Sequence, residues 1–171
     1  MDQKLRILKI VPSTVVDGPG VRTSVYFAGC NHNCKGCHNP ESWDMLGGQE
    51  KSINEVYLEV LQSVTSKFNP RVTLTGGDPL YQKEGLESLL FRFGVDSFCR
   101  WDIWLYTGFT FEEMQEQFSD ILDSPTLTGV VCDPFILEKR DIDNYRFRGS
   151  SNQRVFVKNP DTKWKWTLWE N

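Results

Sequence analysis

The sequence predicts an α/β fold in which helices pack on a parallel sheet. One observation is the order of the patterns, since strand-like and helix-like stretches alternate from residue 53 to residue 131. Such alternation is typical of parallel strands joined by helical crossovers. A second observation is that turns rich in glycine, cysteine or proline follow four of the predicted strands directly. Because ligands bind at the carboxyl ends of parallel strands, this pattern favours an enzyme over a small metal-stapled binding module.

The first third of the chain contains two strand patterns and a long loop. Residues 5–11 alternate in hydrophobicity, and residues 21–28 are rich in β-branched and aromatic side chains. Residues 17–20, Asp-Gly-Pro-Gly, have the composition of a turn. The chain from the end of the second strand to about residue 51 is therefore predicted to be a loop.

The rest of the chain follows from capping boxes and hydrophobic periodicity. Ser52 with Glu55, and Thr110 with Glu113, are capping-box patterns that predict where two helices begin. Residues 133–150 are expected to be mostly irregular, and the Trp-rich residues 159–171 to form a short edge strand or a loosely packed extension. The periodicity predicts helices at 53–67, 83–95 and 111–121, and strands at 72–75, 101–106, 127–131 and 153–157.

Length and composition indicate a single domain in a reducing compartment. The chain has 171 residues and is 39% hydrophobic, which suffices for one core. Its net charge of −4 argues against general nucleic-acid binding. Neither a signal peptide nor a stretch of ~20 apolar residues is present, so a cytoplasmic protein without a membrane partner is expected. In that compartment cysteines are more often metal ligands or catalysts than disulfide partners.

Three cysteines form the most informative motif. Cys30, Cys34 and Cys37 have C-x3-C-x2-C spacing, and thiolates suit zinc or an iron–sulfur cluster. A closed zinc site or an ordinary cluster takes four protein ligands, so three leave one position open for a substrate. The alternative is a structural zinc site, whose fourth ligand would be one of His32, His38, Cys99 and Cys132.

The other strand ends carry weaker signals. Gly76 and Gly77 lack side chains, so their backbone can approach an amino or carboxylate group, although a tight turn is the simpler interpretation. Asp78 is then either part of that site or a cap of the next helix. Cys132 is most simply a small buried side chain. Arg146 and Arg148 lie in a polar run that is either solvated surface or a site for a carboxylate or partner chain.

Residues 29–40 resemble the cysteine signature of radical S-adenosylmethionine enzymes. With the preceding residues 17–22, they are similar to the glycyl-radical-enzyme activating group. Within this group, the chain is most similar to the proteins that activate anaerobic ribonucleoside-triphosphate reductase. The further motifs that carry this resemblance, in the family's order, are residues 37–43, 75–80, 103–108 and 147–153.

The resemblance implies a fold and a chemistry. Residues 1–158 are expected to form a radical S-adenosylmethionine domain, an incomplete (β/α) barrel open on one side, with residues 159–171 as an unmatched extension. Cys30, Cys34 and Cys37 would hold a [4Fe–4S] cluster whose fourth iron binds the amino and carboxylate groups of S-adenosylmethionine. Reductive cleavage would yield a 5′-deoxyadenosyl radical that takes hydrogen from a glycine of the reductase. A small reductant protein would donate the electron.

The resemblance also implies which residues contact the cofactor. His38 is the candidate for stacking on adenine, because Gly36 stands where many radical enzymes have an aromatic residue. The family usually has Asp-Gly directly after the strand that ends at residue 131, whereas this chain has Cys132 and Asp133 there. Asp133 is therefore expected to take the place of the family's aspartate, one position further along the chain. Two alternatives remain, a radical enzyme acting on a small molecule or peptide and a zinc-stapled interaction module. The implied cofactor contacts are Gly36, Cys37, His38, Gly76, Gly77, Asp78, Pro79 and Thr107.

Overall fold

The computed structural model describes residues 3–67, 69–96, 98–140, 147–159 and 165–170. Within these ranges, eight strands form a single sheet, and four helices pack on it. The strands are β1 Lys4–Thr14, β2 Arg22–Phe27, β3 Gln49–Ser52, β4 Arg71–Gly76, β5 Asp102–Tyr106, β6 Leu127–Cys132, β7 Arg154–Asn159 and β8 Lys165–Leu168. The helices are α1 Ile53–Ser63, α2 Lys83–Gly94, α3 Phe111–Gln117 and α4 Ser119–Leu122.

The sheet is mixed and open, with strand order β3-β1-β2-β4-β5-β6-β7-β8. The four central strands β2, β4, β5 and β6 are parallel. The strands on both sides of them pair antiparallel. The expectation of an incomplete (β/α) barrel is therefore wrong, because the sheet does not curve to closure and helices are few. Between β1 and β2 the physical reason is that a short connection, residues 15–21, makes an antiparallel hairpin, whereas parallel neighbours need long crossovers.

The helices cover one face of the sheet and bury the main core. Along β5, Ile103 and Leu105 are fully buried on this face, and the next strands contribute Leu74 and Val130 in the same way. Successive side chains of a strand point to opposite faces, so the intervening residues face the other side. The helical side chains that complete this core include Val56, Val60, Leu86, Leu89, Phe93, Met114 and Ile121.

Both predicted capping boxes are confirmed. The Ser52 hydroxyl accepts from the N–H of Glu55 at the start of α1, and the Thr110 hydroxyl accepts from Glu113 at the start of α3. The helix predicted over 111–121 is interrupted at Phe118, whose backbone (φ −132°, ψ 32°) separates α3 from α4. Periodicity alone did not reveal this break, because the apolar side chains on both sides of it still face the core.

Two strands at the sheet edges were not assigned from the sequence. The polar β3 lies where a loop was predicted, and it pairs antiparallel with residues 4–7 of β1. In the Trp-rich tail, β8 pairs with β7, so the alternative of an edge strand describes this part. Trp166 packs on the helix-covered core and Trp169 on the opposite face, whereas Trp164 and Arg146 lie outside the described residues. None of the helices in the described ranges is long and apolar enough to cross a membrane.

Candidate metal centre and cofactor cavity

A cavity of about 380 Å³ opens at the carboxyl ends of the parallel strands, on the face opposite the helices. Tyr26 and Tyr106 line it, and both alternate along their strands with residues that face the helices. The motifs that the sequence separates by up to 77 positions thus meet around one volume. The predicted site residues on its wall are Cys30, Cys34, Cys37, His38, Gly76, Gly77 and Thr107.

The cysteine loop is held by backbone hydrogen bonds to the segment that follows it. Gly29 donates its N–H to Ser42 O at 2.7 Å, and Cys30 donates to Trp43 O at 3.3 Å. Between the second and third cysteines, the N–H of Cys37 donates to Cys34 O at 3.1 Å, which closes a tight turn. Because the loop returns on itself, the three thiols face the same cavity rather than solvent on different sides.

Burial disfavours the thiolate forms in the metal-free chain. Burial, with a smaller contribution from the nearby Asp78 carboxylate, raises the pKa of Cys30 to about 11. Burial also raises the pKa of Cys34, although a hydrogen bond from the backbone of Phe135 opposes the shift. Metal binding requires thiolates, so binding of a metal by these cysteines would release protons.

The donor set fits a cluster better than a single metal ion. Within the described residues, no three His, Cys, Asp or Glu side chains converge closely enough to hold one ion. Of the fourth ligands considered for zinc, Cys132 is fully buried on the helix-covered face, and the Cys99 thiol donates to Lys67 O. In a cluster each thiolate binds a different iron, so the three thiols need not meet at one point.

The Gly-Gly turn after β4 packs directly against the cysteine loop. Gly77 donates its N–H to Phe27 O at 2.8 Å, and the next residue, Asp78, donates to Gly29 O at 2.9 Å. A Cβ at Gly76 would lie 2.4 Å from the Phe27 nitrogen, and one at Gly77 would lie 2.5 Å from Gly29 O. Gly76 also has φ of +108°, which a residue with a side chain rarely adopts. Only glycine therefore permits this close approach beside the cavity.

Three predicted contact residues do not lie on the cavity wall. The Asp78 side chain is 1% exposed and accepts a hydrogen bond from the N–H of Leu80, the cap that the sequence had offered as an alternative. Pro79 is buried in the short 3₁₀ turn Pro79–Gln82 that follows. Gly36 faces Leu137, since a Cβ there would lie 2.8 Å from that side chain.

Several wall residues were not among the predicted contacts, namely Asp17 in the turn before β2, Tyr26 in β2 and Tyr106 in β5. Asp17 accepts a hydrogen bond from Ser24 Oγ at 2.6 Å and a longer one, 3.3 Å, from the Tyr26 hydroxyl. Burial and this carboxylate raise the pKa of Tyr26 to about 12. The Tyr106 hydroxyl is buried and has no hydrogen-bond partner in the part of the chain that the structure describes. Strict alternation along β2 and β5 was the available signal, since it separates Tyr26 and Tyr106 from the core residues beside them.

Asp133 at the end of β6 also lies on the wall. It adopts φ of +78°, and its carboxylate receives Arg154 Nε at 2.7 Å and Nη2 at 2.9 Å. The same guanidinium donates to both oxygens of Glu112, at 2.7 and 2.6 Å, and lowers the pKa of Glu112 to about 2. This network ties the end of β6 to β7 and to the first turn of α3.

The polar run after the undescribed segment folds back towards the same wall. Gln153, which lines the cavity, accepts the N–H of Gly149 at 2.8 Å and donates to Asp133 O at 3.1 Å. Arg148 donates to Gln153 O at 3.0 Å. These contacts are internal, so the run supports the wall around Asp133.

Comparison with known protein families identifies the class to which the chain belongs. A family model described as a 4Fe-4S single cluster domain matches residues 16–156, most of the chain and all of the cavity-forming loops up to Gln153. The chain therefore belongs to a class of proteins with a domain for one [4Fe–4S] cluster.

The full-length relatives are more specific. A protein of Enterobacteria phage T4 is 35% identical over 158 residues, covering 92% of this chain and 96% of the relative. A protein of Haemophilus influenzae is 32% identical, with 88% and 97% covered, and one of Escherichia coli K12 is 30% identical, with 84% and 93% covered. All three are named anaerobic ribonucleoside-triphosphate reductase-activating protein. The chain belongs to this family.

Proposed function

We propose that the chain activates an anaerobic ribonucleoside-triphosphate reductase by generating a glycyl radical on it. The observation that carries the proposal is the convergence on one cavity of three thiols, the Gly76–Gly77 turn and Thr107. Three thiols can bind three irons of a [4Fe–4S] cluster and leave the fourth for S-adenosylmethionine. When bound and reduced, the cluster would supply the electron that cleaves the sulfonium and so yields the radical that removes hydrogen from a glycine Cα.

The chain's own part in this reaction is to bind and to orient. Cys30, Cys34 and Cys37 would hold the cluster at the carboxyl ends of the strands. The backbone of Gly76 and Gly77, which lines the cavity, would receive the amino group of the methionyl moiety, because only glycine lets this turn pack so closely beside the cysteine loop. His38, which is exposed and stands 5.9 Å from the ring of Phe135, would contact the nucleotide. No acid or base is needed, and the cofactors supply the difficult chemistry.

The shape of the molecule supports a protein as the substrate. The cavity lies on the face of the sheet that the helices leave uncovered, and the sheet is not closed around it. A peptide segment carrying the target glycine can therefore approach along the open face without unfolding of this chain. The reductase is the partner named by the relatives, and we extend that assignment to this chain. A small reductant protein would supply the electron.

The test is reconstitution under anaerobic conditions with iron and sulfide. The wild-type chain should take up about four irons and, once reduced, should cleave S-adenosylmethionine to methionine and 5′-deoxyadenosine. Incubation with the reductase should then produce a glycyl radical signal in electron paramagnetic resonance. A matched control is Cys99→Ser, which removes a thiol that the cavity does not contain.

Two results would reject the proposal in different ways. A colourless protein that binds zinc and never cleaves S-adenosylmethionine would favour a zinc-stapled interaction module. Normal cleavage without any radical on the reductase would favour an enzyme that acts on a small molecule or peptide.

A further inference from the structure

His32, the residue midway between Cys30 and Cys34, connects the cysteine loop to two other strand ends. Its Nε2 lies 2.8 Å from Asp78 Oδ2, a contact between residues 46 positions apart in sequence. The same oxygen accepts the Thr107 hydroxyl at 2.8 Å and the Gly108 N–H at 2.9 Å. One carboxylate oxygen therefore joins the loops that follow β2, β4 and β5.

The imidazole ring is fixed by packing as well as by this hydrogen bond. Phe109 meets it edge-on with ring centroids 4.8 Å apart, and Tyr81 lies against it at 5.5 Å. A Cβ at Gly108 would lie 2.5 Å from the ring, so the ring rests directly on that backbone. The His32 side chain is only 17% exposed. Few rotamers of His32 are compatible with these contacts. The ring therefore holds the cysteine loop in a fixed position relative to the loop that follows β5.

The Asp78 carboxylate is already engaged by four groups of this chain. Oδ2 receives the three donors described above, and Oδ1 receives the Leu80 N–H at 3.0 Å. The side chain is buried and lies behind the cavity wall. A carboxylate that accepts several hydrogen bonds while buried holds its neighbours in place, because loss of any one donor leaves charge uncompensated.

We infer that His32 is a positioning residue and that Asp78 is its anchor rather than a contact of the cofactor. Together they set the cysteine loop at a fixed distance from the Gly76–Gly77 turn and from Thr107. The inference rests on the proposed function, in which the first loop holds the cluster and the others hold S-adenosylmethionine. Loss of the contact should therefore leave cluster binding largely intact but misalign the two cofactors.

Two substitutions of His32 separate the hydrogen bond from the ring packing. His32→Phe keeps an aromatic ring against Phe109 but removes the donor, whereas His32→Gln offers an N–H near the position of Nε2. After anaerobic reconstitution, His32→Phe should retain iron but bind S-adenosylmethionine about tenfold more weakly in calorimetry. The change that S-adenosylmethionine produces in the spectrum of the reduced cluster should also shrink. His32→Gln should recover most of both signals.

Tyr57→Phe is the matched control for simple loss of a hydrogen bond to a carboxylate. The Tyr57 hydroxyl donates to Asp96 at 2.6 Å on the helix-covered side, away from the cavity. This variant should unfold at lower urea concentration yet keep the wild-type affinity and spectrum. Equal loss of affinity in Tyr57→Phe and His32→Phe would mean that general destabilisation explains the result, and would overturn the inference.

A double-mutant cycle with His32→Phe and Asp78→Asn, measured by urea unfolding of the cluster-free chain, tests the contact without any cofactor. Non-additive effects are expected, and additive effects would overturn the contact itself. Wild-type affinity in His32→Phe would overturn the positioning role alone. Failure of the wild-type chain to bind S-adenosylmethionine would instead overturn the proposed function, so the two failures are distinguishable.

Discussion

The two faces of the sheet differ although the same strands build both. On the helix-covered face, β5 presents Ile103 and Leu105, which are fully buried among other apolar side chains. On the open face, the same strand presents Trp104 and Tyr106, and β2, which lies beyond β4, presents the buried cation Arg22. One face is thus an apolar core, whereas the other combines a small aromatic cluster with buried polar groups.

This difference shows how a small chain supports both stability and a binding site. Adjacent residues of a strand point to opposite faces of the sheet. One face can therefore form the apolar core while the other face lines a polar cavity. On the helix-covered face, burial of apolar area stabilises the folded state. The open face depends on hydrogen bonds between buried polar groups, because a buried polar group that loses its partner is costly.

The largest expected effect contrasts two cysteines on opposite faces. Cys34→Ser removes a thiol at the cavity and should abolish incorporation of the cluster, since a hydroxyl is a poor replacement for a soft thiolate ligand. Cys132→Ser changes a thiol that is buried on the helix-covered face and should retain the cluster. Iron and sulfide analysis after reconstitution measures both. Equal loss of iron in the two variants would show that Cys132 supports the metal site.

Arg22→Met tests the dependence of the open face on satisfied polar groups. The guanidinium donates to Thr73 Oγ1 at 2.9 Å, to Val72 O at 2.8 Å and to the backbone and carboxylate of Asp102. Its removal should lower the free energy of unfolding by about 4 kcal/mol, because these acceptors lose their buried partner.

Arg71→Met is the matched control for Arg22→Met. Arg71 contacts the same Asp102 carboxylate at 3.6 Å but is half-exposed. Its loss should cost at most about 1 kcal/mol, as is usual for an exposed ion pair. Urea unfolding of both variants gives the comparison, and similar losses would contradict the special role of the buried cation.

Adjacent residues of β5 provide the next test. Leu105→Ala should cost about 3 kcal/mol, since it leaves a cavity in the apolar core. Tyr106→Phe should change the free energy of unfolding by less than about 1 kcal/mol, because the deleted hydroxyl has no partner among the described residues. Thermal or urea unfolding of the two variants measures both changes in the free energy of unfolding. A large loss in Tyr106→Phe would show that its hydroxyl is bound to a group not yet identified.

The smallest effect concerns a charge on the helix-covered side of the sheet edge. Burial lowers the pKa of Lys158 to about 8, and its Nζ donates to Ser124 O. Between pH 8 and about 10.4, the unfolded chain binds more protons than the folded chain, so stability attributable to Lys158 rises with pH. Relative to Lys158→Met, the wild type should gain about 1 kcal/mol over this range, after allowance for solvent screening. Parallel pH profiles of unfolding would contradict the shift.

Local signals in the sequence were sufficient for most elements, whereas the set of metal ligands stays a prediction. The capping boxes at Ser52 and Thr110, the strand patterns and the cysteine spacing all depend on residues within a few positions of one another. These features could therefore be predicted without knowledge of the tertiary structure. The same holds for the family resemblance, which the similarity to known proteins confirmed. The roles of the individual cofactor contacts stay predictions.

Tertiary structure decided the features that depend on distant partners. The outer pairs of strands are antiparallel, and two of them, β1–β2 and β7–β8, are joined by short connections, so the expected barrel is replaced by an open mixed sheet. The polar β3 is a strand only because β1 offers it an edge. Asp78 lies behind the cavity wall because His32 and Thr107, far away in sequence, occupy its carboxylate. The sequence determined which groups are available, and packing determined which of them remain free to meet a ligand.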